Sequence, residues 1–175
     1  MVTPCGLPVD KVDKIANDGR KSISSYCIND CKSYCCRKGY LVMSKKQLDV
    51  VINNKKEEYK EQVKELKNGK VSLFLGSSGK PCPSLRKDFK CGIHSNPERP
   101  KACRDFPIFL KKESKTVLLS PRCLAVRTNM LYPHIKRFEL LGYKIVKVDE
   151  IVNLVGVEIP GKVIDERVAE KRLKR

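Results

Sequence analysis

The sequence predicts a small, single α+β domain with one long amphipathic helix, short hairpins and a C-terminal helical segment. Three observations lead there. Short apolar runs bounded by Gly, Pro or charged residues fall at 41–43, 71–75, 106–110, 116–119 and 143–148, the lengths of strands. Apolar residues recur at helical spacing after the first run and again at 124–141. Finally, 175 residues suffice for one domain with a core and are too few for two large ones. The 41% hydrophobic content includes nine cysteines, Trp is absent and aromatics make up only 6%. The apolar core is therefore thin and needs cross-links from another source.

Taken in order, residues 1–25 read as a polar lead-in, with one or two helical turns at 10–16 and a turn at Asn17, Asp18 and Gly19. Cys5 stands between Pro4 and Gly6, apart from the other thiols. After the 41–43 strand, Ser44 has Gln47 three residues on, the pattern of a helix-starting capping box. Leu48, Val51, Ile52, Tyr59, Val63 and Leu66 continue at helical spacing, with charged residues between them. The long helix is accordingly expected over 44–68, ending at Gly69. A strand at 71–75 closes on a turn at 76–81, and 82–91 suits a hairpin with a thiol on each arm. Residues 97–103 form a proline-punctuated turn or short helix, and 106–110 with 116–119 a second hairpin. A helix over 124–141 is expected to break near Pro133 and stop at Gly142, followed by a strand at 143–148. A short element at 150–155 and a charged helical tail at 162–175 complete the chain.

The missing cross-links are supplied by sulfur. Cys27, Cys31, Cys35 and Cys36 lie within ten residues, and Cys82, Cys91, Cys103 and Cys123 answer them, so eight of nine cysteines form two groups of four along the chain. Thiolate is the soft donor that zinc and iron-sulfur clusters prefer, commonly four to a site. Cys27, Cys31 and Cys35 recur every four residues and would share one helix face. A continuous helix would, however, separate Cys27 from Cys35 by about 12 Å, too far for one ion. Either the helix breaks or the three serve different centres. Cys35 and Cys36 are neighbours, which suits one ligand for each of two centres, or one ligand and one packed thiol. A disulfide framework conflicts with the odd count and with an N-terminus that lacks a secretory apolar run. Plain core packing gives thiols no reason to cluster.

Lys and Arg number 37 against 20 Asp and Glu, a formal charge of +17. The excess concentrates at 80–112, where it would stabilise anionic thiolate centres and attract a polyanion such as nucleic acid. No run is long and apolar enough to span a bilayer, so the expected setting is the cytoplasm, with reduced thiols. His94 lies close to Cys91 but is expected to make a local hydrogen bond, and His134 to lie on the surface. Arg99, Arg104 and Asp105 are candidates to balance charge or donate hydrogen bonds around the centre. Ser, His and Asp form no recognisable triad.

The order of Cys82-Pro83, Cys91-Gly92-Ile93 and the run from Arg99 through Pro100, Cys103, Arg104, Phe106 and Pro107 resembles the YkgJ or CxxCxxCC family, described as zinc- or iron-chelating domains. The likeness covers about residues 27–125, with Cys123 as its closing cysteine. The first block departs from the family's spacing, because both gaps are three residues and Lys32 replaces a glycine. The resemblance implies metal or iron-sulfur binding. One branch, the flagellin lysine methylases, resembles iron-sulfur proteins.

The expectation is thus a metal-binding protein whose eight clustered cysteines hold zinc or an iron-sulfur cluster, of the 4Fe-4S type if iron. A cysteine-cluster metal-binding core is expected at 27–125 and an α/β extension at 126–175. Alternatives are an iron-sulfur-dependent lysine methylase-like enzyme and a zinc-scaffolded nucleic-acid-binding protein. Enzymatic activity and oligomeric state are left open.

Overall fold

A computed structural model of the chain describes residues 10–66, 69–76 and 80–147. The expected elements at 150–155 and 162–175, and Cys5, lie outside them.

The chain builds two three-stranded sheets, each with its own helices and its own core. The first helix, α1 (Lys11–Ser22), is capped by Asp10, whose carboxylate accepts from the Val12 N–H. Val12, Ile15, Ala16 and Gly19 recur at helical spacing and are buried. The expected turn at 17–19 is therefore corrected: the helix runs through it. Gly19 is there for contact, since a Cβ would sit 2.8 Å from Ile108 Cδ1 and 3.4 Å from the His134 ring. His134 is correspondingly half-buried against α1, where a solvated surface position is expected from sequence. A short α2 (Ser24–Asn29) follows.

Strand β1 (Gly39–Ser44) leads into α3 (Lys45–Ile52), and the capping box is present in full, with Ser44 and Gln47 each bonding the other's backbone N–H. The long helix expected over 44–68 is not formed. It ends at Ile52, because Asn53 and Asn54 take left-handed φ values of 46° and 67°. Tyr59 still reaches the same core, with its hydroxyl donating to the Pro81 carbonyl at 2.9 Å, but from a loop. Val63 reaches it from β2 (Val63–Glu65), which pairs antiparallel with β3 (Lys70–Leu75). The spacing of these apolar residues mimics a helix face while the backbone spreads them over three kinds of structure.

The first sheet runs β1-β3-β2, antiparallel throughout, with Leu41 opposite Leu73 and Met43 opposite Val71. These residues bury with Val51, Ile52, Tyr59 and Ala102. Leu73 is fully buried, so Leu73→Ala is expected to destabilise the protein by about 2–5 kcal/mol, read by urea unfolding.

After a short α4 (Lys101–Asp105) comes the second sheet, β4 (Ile108–Lys111), β5 (Thr116–Leu119) and β6 (Lys144–Lys147). The β4–β5 hairpin is antiparallel as expected, and β6 pairs parallel with β5. A parallel pair needs a crossover, and α5 (Leu124–Arg127) with α6 (Tyr132–Leu140) supplies it. The break in the 124–141 helix falls at 128–131, and Pro133 sits in the first turn of α6, where its missing N–H costs nothing. Val12, Ile15, Ile108, Val117, Leu119, Val126, Leu131 and Phe138 fill this core. It draws on residues from both sides of the 27–125 segment.

Arg122 ties the halves together. Its guanidinium donates to the Lys38 carbonyl, lies 6.0 Å from the centre of the Tyr40 ring, and packs where a Cβ on Gly39 would be. Gly39, at φ 91°, thus answers both a backbone and a space requirement.

Candidate metal centre

The cysteine block resolves the helix dilemma by breaking. Cys27 is on α2; Lys32 and Ser33 then both take φ of 51°, and Cys35 and Cys36 follow on a 3-10 turn, Tyr34–Cys36. Two left-handed residues in succession reverse the chain, so Cys27 and Cys35 do not share one helix axis. Ser33 is buried and fixes the reversal, its hydroxyl donating to the Phe89 carbonyl at 2.6 Å. Lys32, standing where a glycine is expected for the family, occupies one of the left-handed positions.

The 82–91 segment is not a full hairpin. It is a tight loop closed by one antiparallel bridge, Leu85 to Cys91. The Gly92 N–H goes to the Ser84 carbonyl at 2.8 Å rather than to a sulfur, and a Cβ there would press on that same oxygen at 3.3 Å. The Cys82 N–H donates to the Cys36 carbonyl at 2.7 Å, joining the two blocks. Cys103 is carried on α4, and Cys123 is the N-cap residue of α5.

All eight cysteines, Cys27, Cys31, Cys35, Cys36, Cys82, Cys91, Cys103 and Cys123, line one cavity of about 980 Å³, and none is in a disulfide. Cys27 and Cys123 abut the core of the second sheet, Cys82 and Cys103 that of the first. The cavity thus lies between the two cores.

Electrostatics regroup the thiols. Cys27 is raised to about 12, first by burial and then by Cys123, Cys31 and Cys35. Cys123 is raised to about 11 by burial against the pull of the Val126 and Ala125 N–H groups, with Cys35 and Cys31 adding to the rise. Cys103 is raised to about 12 by burial and by Cys82, Cys91 and Cys35, while Arg99 opposes the shift. Cys82 is raised to about 11 by burial against the pull of the Ser84 N–H, with Cys91 and Cys35 adding to the rise. Cys35 is raised well above the ordinary thiol range, first by its hydrogen bond with Cys36 and then by burial; Arg122 acts in the opposite sense. By these electrostatic neighbours Cys123 groups with Cys27 and Cys31, Cys82 and Cys91 group with Cys103, and Cys35 is a neighbour to both sets. As the side chains lie, no three His, Cys, Asp or Glu groups among the described residues are placed to grip one ion. The sets face the cavity without closing on it.

These shifts fix a pH effect on the metal-free protein. Cys27, Cys82, Cys103 and Cys123 ionise at about 11 to 12 when folded, against 9.0 ordinarily. Below that ordinary value both states keep their protons and stability is level. Above it the unfolded chain releases protons that the folded chain retains, so stability falls as pH rises towards the folded values. The slope is at most about 1.4 kcal/mol per pH unit for each thiol, less at half-buried Cys27, where solvent screens it. Urea unfolding of reduced, metal-free protein between about pH 8 and pH 10.5 should show the decline, and metal-loaded protein, whose thiolates are already bare, should not.

Every Lys, Arg, Asp or Glu among the described lining residues is a cation. Arg20, Arg99 and Arg122 are half-buried and bond backbone carbonyls, while Lys21, Arg86, Lys90 and Arg104 are exposed. No Asp or Glu is among the described lining residues. Asp105 faces elsewhere, pairing with Lys101. Arg99 donates to the Cys103 carbonyl and to His94 Nδ1, both at 3.1 Å, which gives His94 the local hydrogen bond expected of it. The Arg99 Nε is buried with no partner. An orphaned cationic donor beside a thiol that burial holds neutral is the arrangement an anionic metal-thiolate centre would satisfy. The donor set fits too, being eight thiols with no carboxylate among the described lining residues. Arg20, Arg122 and Ser33 were not legible as parts of the site, although Arg122 is signalled by its place beside Cys123.

A sulfur-lined cavity with a cationic surround defines a cysteine-cluster chelator. The chain belongs to the CxxCxxCC family, described as "Putative zinc- or iron-chelating domain", which it matches over residues 26–124. No curated protein and no solved structure matches it. No helix among the described residues is long and apolar enough to cross a membrane.

Proposed function

We propose that the protein holds metal in the cavity between its two cores, at two neighbouring centres. Cys27, Cys31 and Cys123 serve one and Cys82, Cys91 and Cys103 the other, with Cys35 and Cys36 as the fourth ligands. The observation that carries this is the convergence of eight thiols, from segments nearly a hundred residues apart, on one cavity. The finer reading is iron-sulfur, of the 4Fe-4S type. A cavity of about 980 Å³ is far larger than two tetrahedral ions fill, since even a water molecule takes only about 30 Å³. Such a centre would supply electron transfer. The chain's own part is to bury the sulfurs, surround them with cations and hold them reduced, which suits the cytoplasm. The converging groups are thiols, which favours chelation over methyl transfer or nucleic-acid binding as the primary role.

Anaerobic purification followed by iron, sulfide and zinc analysis tests this. Iron with equimolar labile sulfide and visible absorption is the expected result. Zinc alone would keep the chelation and discard the iron-sulfur reading. A folded, metal-free protein with eight titratable thiols would overturn both.

A further inference from the structure

The cations of the cavity outnumber the charge the metal would leave. Eight thiolates around two centres of core charge +2 carry four net negative charges, and seven Lys and Arg side chains line the same space, leaving three in excess. Three of the seven also have no side-chain partner among the described residues: Lys21 on α1, Lys90 in the 82–91 loop, and Arg104 on α4. The others are occupied, Arg86 by Asp88 at 2.8 Å and Arg20, Arg99 and Arg122 by backbone carbonyls. The three free cations are exposed, so they stand at the opening of the cavity rather than against its sulfur floor. Beside them the wall is apolar, with half-buried Phe89 and Ile93.

We propose that the mouth of the cysteine cavity is a binding site for a small polyanion bearing phosphate or carboxylate groups, held by Lys21, Lys90 and Arg104 next to the metal. Three unpaired cations around one concavity, with no carboxylate among its described lining residues, raise the local concentration of anions and hold their oxygens at several points. The apolar wall would take a carbon skeleton. The site rests on the chelation reading, because bound thiolates set the charge balance.

The test titrates pyrophosphate and, separately, citrate into the full-length protein purified anaerobically with its metal, by calorimetry at near-physiological salt. Metal and sulfide are assayed in the same samples. Saturable binding is expected, weakened at least tenfold in Lys90→Gln/Arg104→Gln and unchanged in Lys136→Gln, which alters α6 away from the cavity. Preference between the two probes assigns phosphate or carboxylate. If the double variant loses metal, Lys21→Gln provides the comparison, expected to weaken binding severalfold with metal intact. Metal retained with no saturable binding of either anion overturns the proposal, as does binding that neither variant weakens. Binding of a single-stranded oligonucleotide without either small anion overturns it too and assigns these charges to nucleic acid. A wild-type protein that emerges folded and metal-free sinks the chelation reading instead, whatever it does with anions.

Discussion

Removing the metal with a chelator under reducing, anaerobic conditions is expected to lower the Tm by on the order of 20 °C, or to abolish the cooperative transition. Two small cores flank the cysteine cavity, and neither is large. Side-chain cross-links between them among the described residues are few: Arg122 reaches the Lys38 carbonyl, and Arg20 on α1 donates to the Asp105 carbonyl on α4 at 3.0 Å. A hydrogen bond from a charged group contributes about 1.5–3 kcal/mol. Thiolates from both halves gripping shared inorganic centres would be the main tie, and metal binding that occurs only in the folded state counts entirely towards stability. Differential scanning calorimetry with and without chelator reads the effect. A Tm unchanged after complete metal removal would show that the cores hold each other unaided.

Cys35→Ser is expected to lower metal affinity at least 100-fold and to reduce bound metal by more than half, a larger loss than any cysteine confined to one set would give. Cys35 is the thiol with electrostatic neighbours on both sides, among them Cys27, Cys123, Cys82 and Cys103. It also sits on the 3-10 turn whose Cys36 carbonyl receives the Cys82 N–H, so both blocks are hinged on this turn. Metal analysis of purified Cys35→Ser against Cys91→Ser provides the comparison. Equal loss in the two would mean that the Cys35 turn does not couple the two sets.

The strands were legible from sequence because each is a short apolar run with turn residues at its ends, and 39–44, 70–75, 108–111, 116–119 and 144–147 fall where the runs do. The 44–68 helix was misread because periodicity registers which residues are buried, and Tyr59 and Val63 are directed at the core, but by a loop and by an edge strand. The signal against a helix was the pair Asn53 and Asn54, which favour left-handed backbone and here adopt it. Gly19 was misread in the opposite sense, as a turn former, when its role is to admit Ile108 and His134 to the surface of α1. The identity of the eight thiols was plain in the sequence because clustering needs only counting. Their partition was not, because Cys123 and α5 share a core with residues of α1 and β4, a long-range arrangement that linear grouping cannot reveal.

That partition bears on biosynthesis. Cys82, Cys91 and Cys103, together with the Cys35 and Cys36 turn, all emerge from the ribosome before Cys123 does, whereas the other trio waits for it. The nascent chain therefore acquires its two sets of sulfur in a fixed order. A maturation factor that delivers inorganic cargo would meet one half ready while the other still lacks a member.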